Sequence, residues 1–205
     1  MGYVKIVRNF KTDGKSLDPF ARPVNDVQRV EALHKLKIMN TSSEEIFSLY
    51  TELAARMFMT PIALISFVDE ETVFYKESFG VNRTGELVAR KNSPCTLAIL
   101  NDEITLLRYA LSDPCILADT KNLEEVGYKF YAGAPLKTLD NFNIGMLAVV
   151  DKKSREYSDE QLEHLKMLAS EVMSEILLRS TEQNLNKPDI NARAKALRLR
   201  IETLK

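Results

Sequence analysis

Hydrophobic positions along the chain alternate between a helical and an extended period. Val27, Val30, Leu33 and Leu36 recur at helical spacing behind Asn25 or Asp26, predicting a first helix that Asn40-Thr41 ends. Ser42-x-x-Glu45 reads as a capping box ahead of Ile46, Leu49, Leu53 and Met57, the apolar stripe of a second helix. Pro61 then opens Ile62–Val68, apolar at nearly every position, as a central strand covered on both faces would be. Asp69-Glu70-Glu71 makes a turn, and Val73-Phe74-Tyr75-Lys76 returns as a neighbouring strand.

Residues 80–93 carry glycines and charges without periodicity and read as a long loop, a candidate lid. Pro94 suits the first turn of a short helix, Cys95 to Leu100, with Ser93 as its cap. Ile104–Leu107 is a strand near an edge. Ser112-Asp113-Pro114 is a turn, and Asp119 to Val126 a loop or short helix. Phe130–Leu136 and Asn143–Asp151 flank the polar turn Thr138–Phe142 as an antiparallel hairpin. A second capping box, Ser158-x-x-Gln161, opens a helix whose stripe is Leu162, Leu165, Ala169, Val172 and Ile176.

Both ends extend this unit. Residues 1–24 are irregular: Val4, Ile6 and Phe10 suit a short strand or docking arm, and Asp13-Gly14, Pro19 and Pro23 break the chain. After an interruption at Asn184–Pro188, Ile190, Ala194, Leu197, Ile201 and Leu204 form a second seam. That seam fits a coiled-coil stalk or a helix added to a dimer bundle, with a frayed tail as the other outcome. The whole divides into an arm (1–24), a domain (25–181) and a C-terminal linker with an amphipathic helix (182–205). Its element order is that of an α+β fold with an antiparallel sheet, the terminal helices on one face and the short helices and loops on the other.

Composition narrows the function. The 205 residues are 45% hydrophobic and 28% charged with net charge −1, as in a globular domain with no general attraction for phosphate backbones or anionic lipids. No nucleic acid or membrane partner is expected. No apolar run approaches the ~20 residues of a bilayer span, Met1–Ile6 has no signal-peptide core, and Ile6 stands where a myristoylation motif needs Ser or Thr. A cytoplasmic location follows as the expectation. Cys95 and Cys115 make no disulfide framework, and His34 and His164 no metal cluster.

The stretches Glu31-Ala32-Leu33 with Ile38, Pro61–Ser66 into Val68-Asp69-Glu70, Ser93–Leu100, Ser112-Asp113-Pro114, Phe130–Leu136, Gly145–Asp151 and Ser158–Leu168 stand together in an order that resembles a GAF domain. The resemblance covers roughly residues 25–180. It is to GAF domains found alone or ahead of kinase and cyclase modules in bacterial signalling proteins, within a GAF/PAS-like sheet architecture. It implies a six-stranded antiparallel sheet, a small-molecule pocket between the sheet and the middle helices, and a homodimer made through the terminal helices. Carried over residue by residue, the pocket positions are Ile62, Leu64 and Ser66 on the central strand and Cys95 and Ile99 on the short helix. Tyr131, Gly133 and Pro135 come from one hairpin strand and Met146 and Ala148 from the other. Alternation puts each set on one face without saying which face is the pocket. The implied role is sensing or regulation without catalysis, by an unidentified ligand, signalling to a separate chain such as a histidine kinase or cyclase.

A different class competes. One GAF branch reduces free methionine-R-sulfoxide with a nucleophilic cysteine, and Cys95, near a helix N-terminus, resembles one of its cysteines. That branch presents carboxylates from the hairpin strands, where this chain has Tyr131, Ala148 and Val150, and activating a sulfoxide needs an acid. The bland reading of Cys95 is a small buried apolar residue. The cyclic-nucleotide branch's dispersed Asn-Lys-Phe-Asp-Glu pattern cannot be placed. Neither Cys95-Thr96 nor Cys115-Ile116 offers the Cys-His pair that bilin attachment uses.

Overall fold

Six strands pair antiparallel in one sheet, and two residues of the N-terminal segment extend it at an edge. The structure, a computed structural model, describes residues 7–8, 21–108, 128–182 and 188–204. In chain order the elements are β1 (Val7–Arg8), α1 (Asp26–Lys35), α2 (Glu45–Met57), β2 (Ile62–Val68), β3 (Thr72–Phe79), β4 (Leu87–Ala89), α3 (Pro94–Ala98) and β5 (Thr105–Arg108). Then come β6 (Phe130–Lys137), β7 (Asn143–Asp151), α4 (Asp159–Glu182) and α5 (Pro188–Glu202). The spatial order is β1-β5-β6-β7-β2-β3-β4, with β1 parallel to β5 and every other pair antiparallel.

β2 and β7 lie at the centre and are buried along their whole length, as their unbroken apolar sequences require. Gly145 lets the two strands meet, since a Cβ there would strike the Ser66 carbonyl. The five-residue β6–β7 turn closes through Thr138 and Phe142, with Asn141 at φ 62° in the left-handed region that Asn tolerates. On one face, Ala63, Ile65, Phe67, Phe130, Ala132, Leu147 and Val149 pack against α1, α2 and α4 through Leu33, Phe47, Leu53, Leu165 and Val172. α3 lies on the opposite face.

The hairpin and the α4 capping box form as the pattern predicts. Ser158 N–H donates to Gln161 Oε1 at 2.9 Å, and Gln161 N–H to Ser158 Oγ at 3.2 Å. The Ser42 capping box does not form. The α2 N-cap is Glu44, whose N–H donates to Glu77 Oε1 at 3.0 Å, so a carboxylate from β3 replaces the one expected at Glu45. Buried Lys76 draws the 41–44 connection down by donating to Thr41 Oγ1 at 2.8 Å, the Ser42 carbonyl and Glu44 Oε1 at 2.8 Å. α1 ends at Lys35, earlier than Asn40-Thr41, because Lys37 and Asn40 take positive φ.

Residues 80–93 are not a continuous loop. They contain β4 and a 3-10 turn at Arg90–Asn92, and Tyr75 N–H to Glu86 O and Gly85 N–H to Tyr75 O pin them to β3. The segment is pinned to the sheet edge rather than loose, and its Val81 and Val88 pack against the apolar cluster on the α3 face. The C-terminal seam is used within the chain: Ala194, Leu197 and Ile201 are buried in the helix-side core, where α5 packs on α2, while Ile190 and Leu204 stay partly exposed. Arg193–Glu175, Arg200–Glu171 and Arg198–Glu45 ion pairs flank it. Cys115, the 112–114 turn, the 119–126 stretch, Val4, Ile6, Phe10 and the break at Asn184 lie outside the described residues.

Candidate functional site

Strand register lays the expected pocket positions out in rows across the α3 face. Tyr131, Val150 and Ile62 form one row from β6 through β7 to β2; Gly133, Ala148 and Leu64 form the next; Pro135, Met146, Ser66 and Tyr75 form a third that reaches β3. Residues two apart on a strand share a face, so each row is the direct consequence of pairing alternating strands in this register.

Above the rows, α3 is fixed by Ser93, whose Oγ accepts from Cys95 N–H at 3.3 Å, with Pro94 in the first turn. This sets Cys95 over β2, where Ser66 Oγ donates to its Sγ at 3.2 Å. Tyr131 OH donates to the same sulfur at 3.6 Å. Tyr75 OH lies 3.2 Å from Ser93 Oγ, completing a buried chain of hydroxyls and one thiol. Burial, with Cys95 close by, pushes the Tyr131 phenol well above its usual pKa, and burial does the same to Tyr75. Both are neutral at pH 7.

Ile62, Leu64, Cys95, Ile99, Tyr131, Met146 and Ala148 therefore belong to one buried cluster. Ser66 joins it through Cys95, Gly133 lies beneath the Tyr131 ring, and half-buried Pro135 stands opposite Met146. Val68, Val73, Tyr75, Ala98, Leu107 and Val150 complete the cluster. Sequence reasoning missed these six as site residues, although continuing the alternation beyond Ser66 and Ala148 points to Val68 and Val150. The sequence pattern marks Tyr75 and Ser93 only as a strand residue and a helix cap.

Among the described residues this cluster's own side chains are uncharged, and the Arg83 guanidinium lies over the Tyr75 ring, 5.4 Å from its centroid. The buried carboxylates Asp26, Glu77, Asp151 and Glu175 are bonded elsewhere, to Arg29 and Arg90, Glu44 N–H, Arg155 and Arg193 respectively. The positions where a sulfoxide-reducing relative would place acids are here Tyr131, Ala148 and Val150, each at most 4% exposed. Among the described residues no group of three or more His, Cys, Asp or Glu side chains converges as a metal site. His34 instead bonds Asp69 at 2.8 Å on the surface, and His164 is exposed. No described helix is long and apolar enough to cross a membrane.

The GAF-domain family profile matches residues 42–176, from the α1–α2 connection into α4. The chain belongs to the GAF family. Over 164 residues, 78% of its length, this GAF protein is 32% identical to a cyclic di-GMP phosphodiesterase of Pseudomonas aeruginosa, and it spans 27% of that relative. Among solved structures, it resembles the GAF domain of an Acinetobacter phosphoenolpyruvate-protein phosphotransferase: TM-score 0.54, 16% identity, covering 82% of this chain and 99% of that one. The GAF-B domain of DevS from Mycobacterium smegmatis aligns with TM-score 0.52 and 17% identity, covering 69% of this chain and 97% of that one. At such identities the structural likeness establishes the fold. The sulfoxide reductase, cyclic-nucleotide and bilin branches are distinguished by side chains on that fold.

Proposed function

We propose that this GAF domain is a non-enzymatic sensory or regulatory module of bacterial signal transduction that takes a small molecule on the α3 face of its sheet. The observation that carries the reading is that face's chemistry: an apolar cluster, separate from the helix-packed core, threaded by the neutral hydroxyls of Ser66, Tyr75, Ser93 and Tyr131. Apolar walls with a few convergent polar groups suit a small-molecule site. Residues 25–181 act as the sensing domain, with 1–24 as an arm and 182–205 as a linker and helix.

The protein works in the cytoplasm as a homodimer joined through its terminal helices. Ligand occupancy changes their packing and alters a separate partner, such as a histidine kinase or a cyclic-nucleotide enzyme. The relationship to a cyclic di-GMP phosphodiesterase supports the second class. A ligand acts this way only if it binds two helix arrangements with different affinity.

Native mass spectrometry of freshly purified protein tests the ligand, with a non-covalent mass increment expected. Light scattering after size exclusion tests the dimer, and a strict monomer at micromolar concentration overturns that part. Incubation with methionine sulfoxide and a thiol reductant tests catalysis. Turnover abolished by Cys95→Ser would replace the sensor reading with the reductase one.

A further inference from the structure

Tyr131 does not stand upright over its own row. Its ring leans along β6 and covers Gly133: a Cβ built on Gly133 would lie 2.5 Å from the Tyr131 hydroxyl and 2.8 Å from its Cε1. The same point is 2.9 Å from the Met146 methyl, so the ring is floored by a glycine and walled by a flexible thioether. Its hydroxyl ends under α3, on Cys95 Sγ. One side chain thus fills the middle of the α3 face, from the Tyr131 row across the Gly133 row to the helix above Ser66.

Two features distinguish this ring from an ordinary core aromatic. A glycine at the centre of a buried sheet face gives up a side chain's worth of packing, and here the vacated volume is the ring's berth. Among the described residues the phenol is tethered to a thiol sulfur, a weak acceptor that already takes the Ser66 hydroxyl. Shape holds the ring more than polarity does.

We propose that Tyr131 is a built-in occupant of the ligand site, and that the physiological ligand is a small neutral aromatic molecule carrying one hydroxyl, which displaces the ring. This rests on the sensor reading above and specifies its ligand class. The berth accepts a phenol because it holds one. It disfavours ions because the described side chains around it, Ser66, Cys95 and Met146, are uncharged, while the Arg83 guanidinium lies over the Tyr75 ring, 5.4 Å from its centroid. A ring exchanged for a ring keeps the contacts with Gly133, Met146 and Cys95 and frees the Tyr131 side chain to move. Competition with Tyr131 lowers the apparent affinity by the fraction of time the berth is empty.

The test uses p-cresol, the tyrosine side chain cut at Cβ, with benzoate as the charged control. Binding to the wild-type chain, Tyr131→Phe and Tyr131→Ala is followed by thermal shift and by the NMR signal of a labelled Met146 methyl. Wild type binds p-cresol with a saturable Met146 shift. Tyr131→Phe, lacking the tether to sulfur, binds about five-fold more tightly. Tyr131→Ala binds most tightly, and benzoate moves neither readout at pH 7.

A Tyr131→Ala protein that binds p-cresol beside a wild type whose Met146 signal never moves overturns the proposal, because the ring is then permanent core. Absence of binding by all three overturns it too. If Tyr131→Ala does not fold, the wild-type and Tyr131→Phe arms decide the matter alone. A co-purifying ligand that p-cresol does not displace sinks this inference and leaves the sensor reading standing. Failure of both p-cresol binding and native mass spectrometry sinks both.

Discussion

Removing the Asp26 carboxylate should destabilise the domain more than most single changes at its surface. Asp26 sits at the start of α1, and its Oδ1 accepts from Arg29 Nε at 2.7 Å and Arg90 Nη2 at 3.3 Å. Its Oδ2 accepts from Arg90 Nη1 at 2.8 Å. Arg29 is 1% exposed and also donates to the Val68 carbonyl, so this cluster bolts α1 to the β2–β3 turn. Asp26→Ala leaves two buried guanidinium groups facing each other without their shared counter-ion. Breaking a buried pair in this way costs about 3–5 kcal/mol. At ~2–4 °C per kcal/mol for a chain of this size, the melting temperature falls by about 6–20 °C.

Urea unfolding at pH 7 measures the loss. The combined variant Asp26→Leu, Arg29→Met, Arg90→Met should recover most of it, because replacing a whole buried ionic set by apolar residues is often neutral. The acid limb supplies an independent check. Burial acts to raise the Asp26 pKa, but the bonds from Arg90 and then Arg29 outweigh it and hold the carboxyl below its usual range. A depressed carboxylate contributes stability that is complete above the unfolded value of about 3.9 and disappears as pH falls through the lower folded value. The gap between wild type and Asp26→Asn should therefore be flat from pH 5 to 7 and close below about pH 4. A loss under ~1 kcal/mol for Asp26→Ala, or a gap that widens toward acid, would refute the reasoning.

Three further outcomes are expected. Gly145→Ala drives a methyl into the Ser66 carbonyl at the centre of the sheet and should cost about 2 kcal/mol or more in urea unfolding; a change within ~0.5 kcal/mol would show that β2 and β7 separate easily. Burial raises the pKa of Tyr50, Tyr75, Tyr131 and Tyr157, so their neutral forms stabilise the fold below pH ~10, and this is lost as pH rises through their higher folded values. Stability should fall above pH ~10, less steeply in Tyr131→Phe, and absorbance at 295 nm after a pH jump should track unfolding; immediate titration of all tyrosines would contradict it. Leu197→Ala should speed amide exchange in α5 at least ten-fold while the β2–β7 amides keep their protection, whereas equal acceleration in both would mean that α5 does not open alone.

What the sequence makes legible is whatever rests on local period. The β6–β7 hairpin, the unbroken apolar run of β2 and the stripe of α4 follow from alternation and helical spacing, and the eight expected pocket positions on strands share the α3 face because each strand keeps its period of two, with Cys95 and Ile99 packed over them from α3 and its C-cap. Strand β4 escapes because three half-exposed edge residues show no pattern, and only the backbone of Tyr75 identifies them as a strand. The ionic cores escape for another reason. Asp26 meets Arg90 across 64 positions and Lys76 meets Glu44 across 32, and a charge looks the same in sequence whether it is solvated or buried. The docking of α5 is likewise invisible, since a seam at heptad spacing serves α2 of its own chain as well as a second chain.

A single irregularity in β3 keeps the Glu77 carboxylate off the α3 face. Ile65 pairs with Glu77 and Ser66 with Tyr75, so Lys76 is an extra residue in a bulge. Strict alternation from Tyr75, which faces α3, would send Lys76 to the helix side and return Glu77 to the α3 face beside Leu64. The bulge turns both toward the helices. Lys76 bonds Thr41, Ser42 and Glu44 and lies 5.4 Å from the Phe47 ring centroid, while Glu77 accepts the Glu44 N–H. Burial depresses the Lys76 pKa, but its bond to Glu44 opposes the effect, and Glu44 is held in turn by Arg179 of α4 at 2.8 Å. One extra residue thus keeps a carboxylate away from the Tyr131 berth and uses it to start α2. The same residue joins β3, the α1–α2 connection and α4 in one ionic network. The network thus links the strand that carries Tyr75 to the start of α2 and to α4.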